Sequence, residues 1–167
     1  MLATLERATE RLAVWMAALG ASIIVVQTVW ISYGVFVRYV LGKPDGTVTE
    51  ATAMLLFPAA FLGLAFTLKE NAYPRVSFLL DALAPRARRV LTAFNLFLML
   101  VVGVFFSIAA VEATFRAFAS GSASEILLWP RYLFWAPGAA ALVVFTFYAG
   151  VRLLTVVSSP AEAPSKH

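Results

Sequence analysis

Four long apolar runs leave this chain few ways to fold. They lie near Leu12–Leu41, Val48–Leu68, Val90–Ala119 and Tyr132–Val157, and each supplies the roughly 20 residues that a helix needs to cross the hydrocarbon core of a bilayer. The first and third exceed a perpendicular crossing, which a helix accommodates by tilting or by extending past the bilayer. Of the 167 residues, 62% are hydrophobic and 13% charged, against about 45–50% and about 25% in a soluble domain. The sequence therefore predicts an all-α membrane protein, with one four-helix transmembrane domain over residues 1–157.

The segments outside the spans are short. Met1 to Arg11 is amphipathic, with Leu2, Leu5, Ala8 and Leu12 at helical spacing and Glu6, Arg7, Glu10 and Arg11 between them. It reads as the interfacial start of the first helix. Ala18-Leu19-Gly20-Ala21 faintly resembles a signal-peptide cleavage site, yet the apolar run continues to Val40, well beyond a typical h-region of about 7–15 residues. The first span is therefore expected to be retained. Between the second and third spans, Val76, Leu79, Leu80 and Leu83 recur at i, i+3, i+4 and i+7, one face of a short helix. That helix is expected at about 74–85, opened by Pro74 and interrupted by Pro85. It is too short to span, so it would lie in the interface plane or offer a docking surface to a partner helix. Residues 158–167 are small, polar and proline-containing, and are expected to be disordered.

Basic residues set the expected orientation. Arg7, Arg11, Lys69, Arg75, Arg86, Arg88, Arg89, Arg152 and Lys166 flank one side of the spans, against Arg38, Lys43, Arg116 and Arg131 on the other. The positive-inside bias places both termini and the second loop in the cytoplasm. Arg75, Arg86, Arg88 and Arg89 would anchor that side, while Tyr39, Trp129, Tyr132 and Trp135 would form an aromatic belt at the opposite interface. Charge distributed in this way reports membrane topology, and the net charge of +4 does not point to nucleic acid.

The residues exclude several chemistries. There is no cysteine, and the one histidine is His167, so thiolate chemistry, disulfides, bis-histidine haem and histidine-rich metal sites have no ligands here. No Ser/His/Asp set, intramembrane carboxylate pair or glycine-rich phosphate loop occurs, so no catalytic residue and no cofactor are expected. Glu112 and Arg116 stand four apart on the third span and read as a structural ion pair. Gln27, Thr28, Ser32 and Asn95 read as helix–helix hydrogen-bonding positions. Gly63, Gly103, Gly138 and Gly150 read as sites of close helix approach, and Pro58 as a kink.

The most informative stretch is the mouth of the first hairpin, GVFVRYVLGKPDGTVTE from Gly34 to Glu50. Arg38, Tyr39 and Glu50 share one membrane face there. They serve either as interface anchors or as a paired site that docks another polypeptide, and the residues alone leave both open. The segment Val35-Phe36-Val37-Arg38-Tyr39-Val40 is followed by Pro44 and Glu50, then by Phe57 and Phe61-Leu62-Gly63. Further on come Arg75-Val76, Leu83, Pro85, Arg88-Arg89 and Pro130. In order and spacing the chain resembles the small membrane subunit (the Q-type permease subunit) of the tripartite ATP-independent periplasmic (TRAP) transporters of bacteria and archaea. The resemblance runs from about Leu12 to Leu154. It departs at Val48 and Ala51, where the family often has a tryptophan and a second acid, and at Tyr73 and Ser77, where histidine and aspartate are common. The spacing around Tyr132, Trp135 and Pro137 also differs.

The resemblance implies a partnership. A soluble periplasmic protein would deliver an organic acid to a large membrane subunit that carries the substrate and sodium sites, in the cytoplasmic (inner) membrane. The small subunit would enlarge the static scaffold, hold it in the lipid bilayer and help dock the binding protein, with Arg38, Tyr39 and Glu50 near either partner. Two other readings fit the residues alone: an independent small transporter acting as an oligomer, or a bracing subunit of a different membrane complex.

Overall fold

The computed structural model describes residues 2–43, 46–73 and 84–158. Its helices are α1 (Leu2–Val40), α2 (Gly46–Leu62), α3 (Leu64–Lys69), α4 (Pro85–Ala119) and α5 (Tyr132–Ser158). A single turn residue, Gly63, separates α2 from α3, so together they make one rod. Four rods are thus long and apolar enough to cross a membrane. Among the described residues no strand forms beyond one isolated bridge, Ala123 to Pro130. At about 1.5 Å rise per residue, α1 is about 58 Å long and α4 about 52 Å. Both exceed the roughly 30 Å hydrocarbon core.

Several expected boundaries shift. The expected interfacial helix over 74–85 falls almost wholly outside the described residues, as does the tail after Ser158. Pro85 opens α4 in its first turn, where the missing N–H has no helical acceptor to lose. The amphipathic N-terminus continues α1 without a break, and its polar face turns inward. Thr9 is buried, the Tyr148 hydroxyl donates to Glu10 at 3.4 Å, and Arg152 lies 3.8 Å from Glu6. Pro58 is fully buried and α2 stays helical through it. The interruption falls at Gly63 instead. Asn71, in the left-handed conformation that asparagine tolerates, closes α3, and Tyr73 folds back to donate to the Leu64 carbonyl at 3.0 Å.

The rods alternate in direction. Arg152 near the end of α5 meets Glu6 near the start of α1, and Arg89 at the start of α4 meets the last carbonyls of α5. Both termini of the described chain therefore share one end of the bundle, the terminal end. The α1–α2 and α4–α5 connections share the other, the hairpin end.

α5 is the common partner. It packs against α1, α2, α3 and α4, whereas the extended contact of α4 is with α5. Helices in lipid gain little from apolar burial and associate through close packing and interhelical hydrogen bonds. Small residues at regular spacing meet that need. On α4, Gly103, Ala110 and the half-buried Ala117 recur every seven residues, in line with the buried Leu96, the period of a coiled-coil seam. A Cβ on Gly103 would lie 2.6 Å from Thr146 Oγ1, and beside it the Ser107 and Thr146 hydroxyls pair at 2.9 Å. On α1, Ala13, Gly20, Gln27 and Gly34 keep the same period. Gly34 abuts Val48, and the Gln27 amide donates to the Thr52 carbonyl at 3.0 Å. The core between the rods centres on Tyr148, fully buried with Ala13, Leu68, Leu96 and Phe145.

The tightest approach is that of α2 to α5. The Phe57 ring covers Gly138 so closely that a Cβ there would lie 2.2 Å from Phe57 Cε1, and the same ring packs on Trp135 with centroids 4.7 Å apart. Gly138→Val is expected to destabilise the detergent-solubilised protein by about 1–3 kcal/mol, the usual cost of overpacking. Thermal unfolding measures this. Gly63→Ala, where an added Cβ meets nothing within 4 Å, should leave the midpoint unchanged.

Candidate functional site

Three segments converge at the hairpin end: the last turn of α1, the first turn of α2 and the loop 120–131. α4 ends at Ala119, and the chain turns away at Gly121, whose φ of +61° suits glycine. The Gly121 N–H donates to the Phe118 carbonyl and the Ser122 N–H to the Ala117 carbonyl, both at 3.2 Å, which satisfies two carbonyls of the last turn. The loop then doubles back. The Arg131 N–H donates to Ser122 O at 3.0 Å, the Ser124 N–H to Trp129 O at 2.9 Å, and the Trp129 N–H to Ser124 Oγ at 3.1 Å.

This small hairpin leaves the amides at its tip without partners inside the loop, and Glu50 supplies one. Its Oε1 accepts from the Glu125 and Ile126 N–H groups, and its Oε2 from Ile126 at 3.0 Å and Leu127 at 2.7 Å. Three successive amides around one carboxylate make an anion nest, and charge-assisted hydrogen bonds of this kind are stronger than neutral ones. Gly46 admits the loop, since a Cβ there would lie 2.8 Å from Ile126 Cδ1. The first acid of α2 thus ties the α1–α2 hairpin to the α4–α5 hairpin.

Arg38 and Glu50 share this end of the bundle but do not pair. Arg38 is exposed and has no hydrogen bond or ion pair among the described residues, and Tyr39 beside it is 78% exposed. The reason is competition: three fixed amides already hold the carboxylate. Glu112 and Arg116 do form an ion pair across one helical turn, both well exposed, where such pairs contribute little stability. With Ser120, Ser122, Arg131 and Trp135 they line an open groove between the end of α4 and the start of α5. The Arg131 guanidinium has no partner among the described residues, and neither does Lys43. Trp129 stacks on Phe134 at 5.8 Å and Phe118 meets Tyr132 edge-on at 5.2 Å, so the expected belt aromatics pack at this end. The end can therefore present a hydrogen-bonded loop, exposed cations and aromatic rings to another surface.

At the terminal end the basic group divides. Arg89 donates to the Val156 and Val157 carbonyls at 3.0 and 2.8 Å, capping α5 where unpaired carbonyls and the helix dipole favour a cation. Arg86 and Arg88 are exposed, and Arg75 lies outside the described residues. The tie from Glu50 to the loop had no local signal in the sequence, because its acceptors' partners are backbone amides about 75 residues away. The inward-facing acids Glu6 and Glu10 did have one, in their helical spacing with Thr9 and Ala13.

Antiparallel apolar rods, with ionic chemistry gathered at their two ends, define a multi-pass α-helical membrane protein. Within that class, the profile of the tripartite ATP-independent periplasmic transporters, DctQ component, matches residues 27–158. The chain belongs to that family. The matched region holds the whole hairpin end, including Arg38, Glu50 and the loop 120–131. No similar curated protein and no similar solved structure was found.

Glu50→Gln retains the shape but removes the charge and one of the two acceptor oxygens. The amides of Glu125, Ile126 and Leu127 are then expected to exchange with solvent about tenfold faster or more, as local opening becomes easier. Hydrogen-exchange mass spectrometry reads this directly. Unchanged exchange would mean that the loop holds its shape without α2.

Proposed function

We propose that this chain is the non-catalytic small membrane subunit of a sodium-coupled, binding-protein-dependent transporter that imports an organic acid. It would brace the static scaffold of the large transport subunit and help the periplasmic binding protein to dock at the hairpin end. The observation that carries this reading is the loop 120–131, tied to α2 by Glu50 beside Arg38 and Arg131, cations without a partner among the described residues, in a bundle of the DctQ family. A docking surface benefits from being ordered before its partner arrives, because less conformational entropy is lost on binding. Exposed charges around it steer encounter and select against wrong partners.

In this reading the hairpin end faces the periplasm and both termini face the cytoplasm of a bacterial or archaeal inner membrane. The excess of Lys and Arg around the terminal end supports that orientation. Arg75, Arg86 and Arg88 anchor the cytoplasmic side, while Arg89 caps α5. Glu112 and Arg116 shape the groove of the periplasmic end. The chain needs no cofactor of its own, and sodium belongs to the large subunit.

Purification of the tagged chain from native membranes in mild detergent should recover a much larger multi-span protein in stoichiometric amount, identified by mass spectrometry. Recovery of the chain alone, as a defined oligomer under conditions that preserve known complexes, would overturn the proposal. Arg38→Ala is expected to lower complex yield or uptake several-fold without affecting membrane insertion. Wild-type yield and uptake in that variant would remove Arg38 from the docking surface.

A further inference from the structure

Between Arg89 and Glu112 the polar side chains of α4 are Thr92, Asn95 and Ser107. Two of them are satisfied within the chain: Thr92 donates to the Arg88 carbonyl at 2.8 Å, and Ser107 pairs with Thr146 at 2.9 Å. Asn95 is exposed and has no hydrogen-bond partner among the described residues. Other exposed hydroxyls on the spans, Ser22, Thr28 and Ser32, bond carbonyls of their own helix one turn back. Asn95 does not. The step from Arg89 to Asn95 rises about 9 Å along the helix, so the amide lies within the apolar stretch of α4. It carries two donors and an acceptor, and hydrocarbon satisfies none of them.

The same flank of α4 borders a groove. One, two and three turns beyond Asn95, Leu98, Val102 and Phe106 face Phe61 and Leu64 across a gap of about 360 Å³ with an almost wholly apolar lining. The gap exists because α4 packs along α5 but makes no extended contact with α2 or α3. Positions 95, 98, 102 and 106 follow one face of a helix, so the unpaired amide and the groove form one continuous surface.

We propose that this flank of α4, from Asn95 to Phe106, is the seat of a transmembrane helix of the large transport subunit. That helix puts apolar side chains into the groove and a hydrogen-bonding group opposite Asn95. An acyl chain would fill the groove equally well but would leave the amide unsatisfied. A partner helix that carries a polar side chain answers both features. This inference rests on the subunit reading above and adds the place of contact.

Photo-crosslinking in the native complex tests it. p-Benzoylphenylalanine placed at Leu98 or Val102 should crosslink to the large subunit, whereas the same probe at Val104 or Ile108, exposed on the other side of α4, should not. Asn95→Leu should reduce recovery of the large subunit several-fold with the amount of chain in the membrane unchanged, and Asn95→Gln should restore part of it. An intact complex in which positions 98 and 102 crosslink only to lipid, or to a second copy of this chain, overturns the proposal. Recovery of the unmodified chain with no large subunit overturns the subunit reading itself, and this inference with it.

Discussion

Lipid gives two helices no apolar reason to prefer each other over the solvent around them, so this bundle depends on how closely its rods can approach α5. Gly103 lets α4 reach Thr146, and Gly138 takes the Phe57 ring of α2 against bare backbone. Each close approach multiplies dispersion contacts that are individually small. The Ser107–Thr146 bond adds direction to the α4–α5 seam, as Gln27 does between α1 and α2. The remaining architecture follows from having one hub. α1 and α4 stand at the outside with most of their apolar surface uncovered, and α5 is the most enclosed rod.

The same medium explains where the polar groups go. Within the spans, hydroxyls return to their own helix or meet a neighbour, because an unsatisfied group in hydrocarbon is costly. The charged groups gather at the ends, where they divide by task. At the terminal end Glu6 lies near Arg152, Glu10 accepts from Tyr148 and Arg89 caps α5, while Arg7, Arg11, Arg86 and Arg88 stay exposed. The hairpin end is held by a single carboxylate and leaves Arg38, Lys43 and Arg131 unpaired among the described residues.

Much of this was legible without coordinates. Hydropathy and length located the four rods, and the ordered pieces around Arg38, Glu50 and Arg88-Arg89 indicated the family that the profile match assigns. The seven-residue spacing of Ala13, Gly20, Gln27 and Gly34 is equally visible in the sequence, and it marks the face of α1 that meets α2. The pairing of charges was not legible. Arg38 and Glu50 stand at one hairpin mouth, and proximity along the chain suggested that they belong together. A carboxylate, however, goes to whichever donors are fixed and unsatisfied, and a folded loop offers three of them at once.

What the sequence determined by itself is the set of properties that each segment carries alone: apolar length, amphipathic period, and the sign of the charge at each end. Bilayer thickness and the hydration cost of charge act on a segment whatever its neighbours are. Only the tertiary structure decided what requires two segments at once. It made α5 the shared partner, moved the break in the second rod to Gly63, and gave Glu50 to the loop and Arg89 to the end of α5. These choices rest on backbone groups whose need for partners arises after the chain has folded, and a backbone amide looks the same at every position of a sequence.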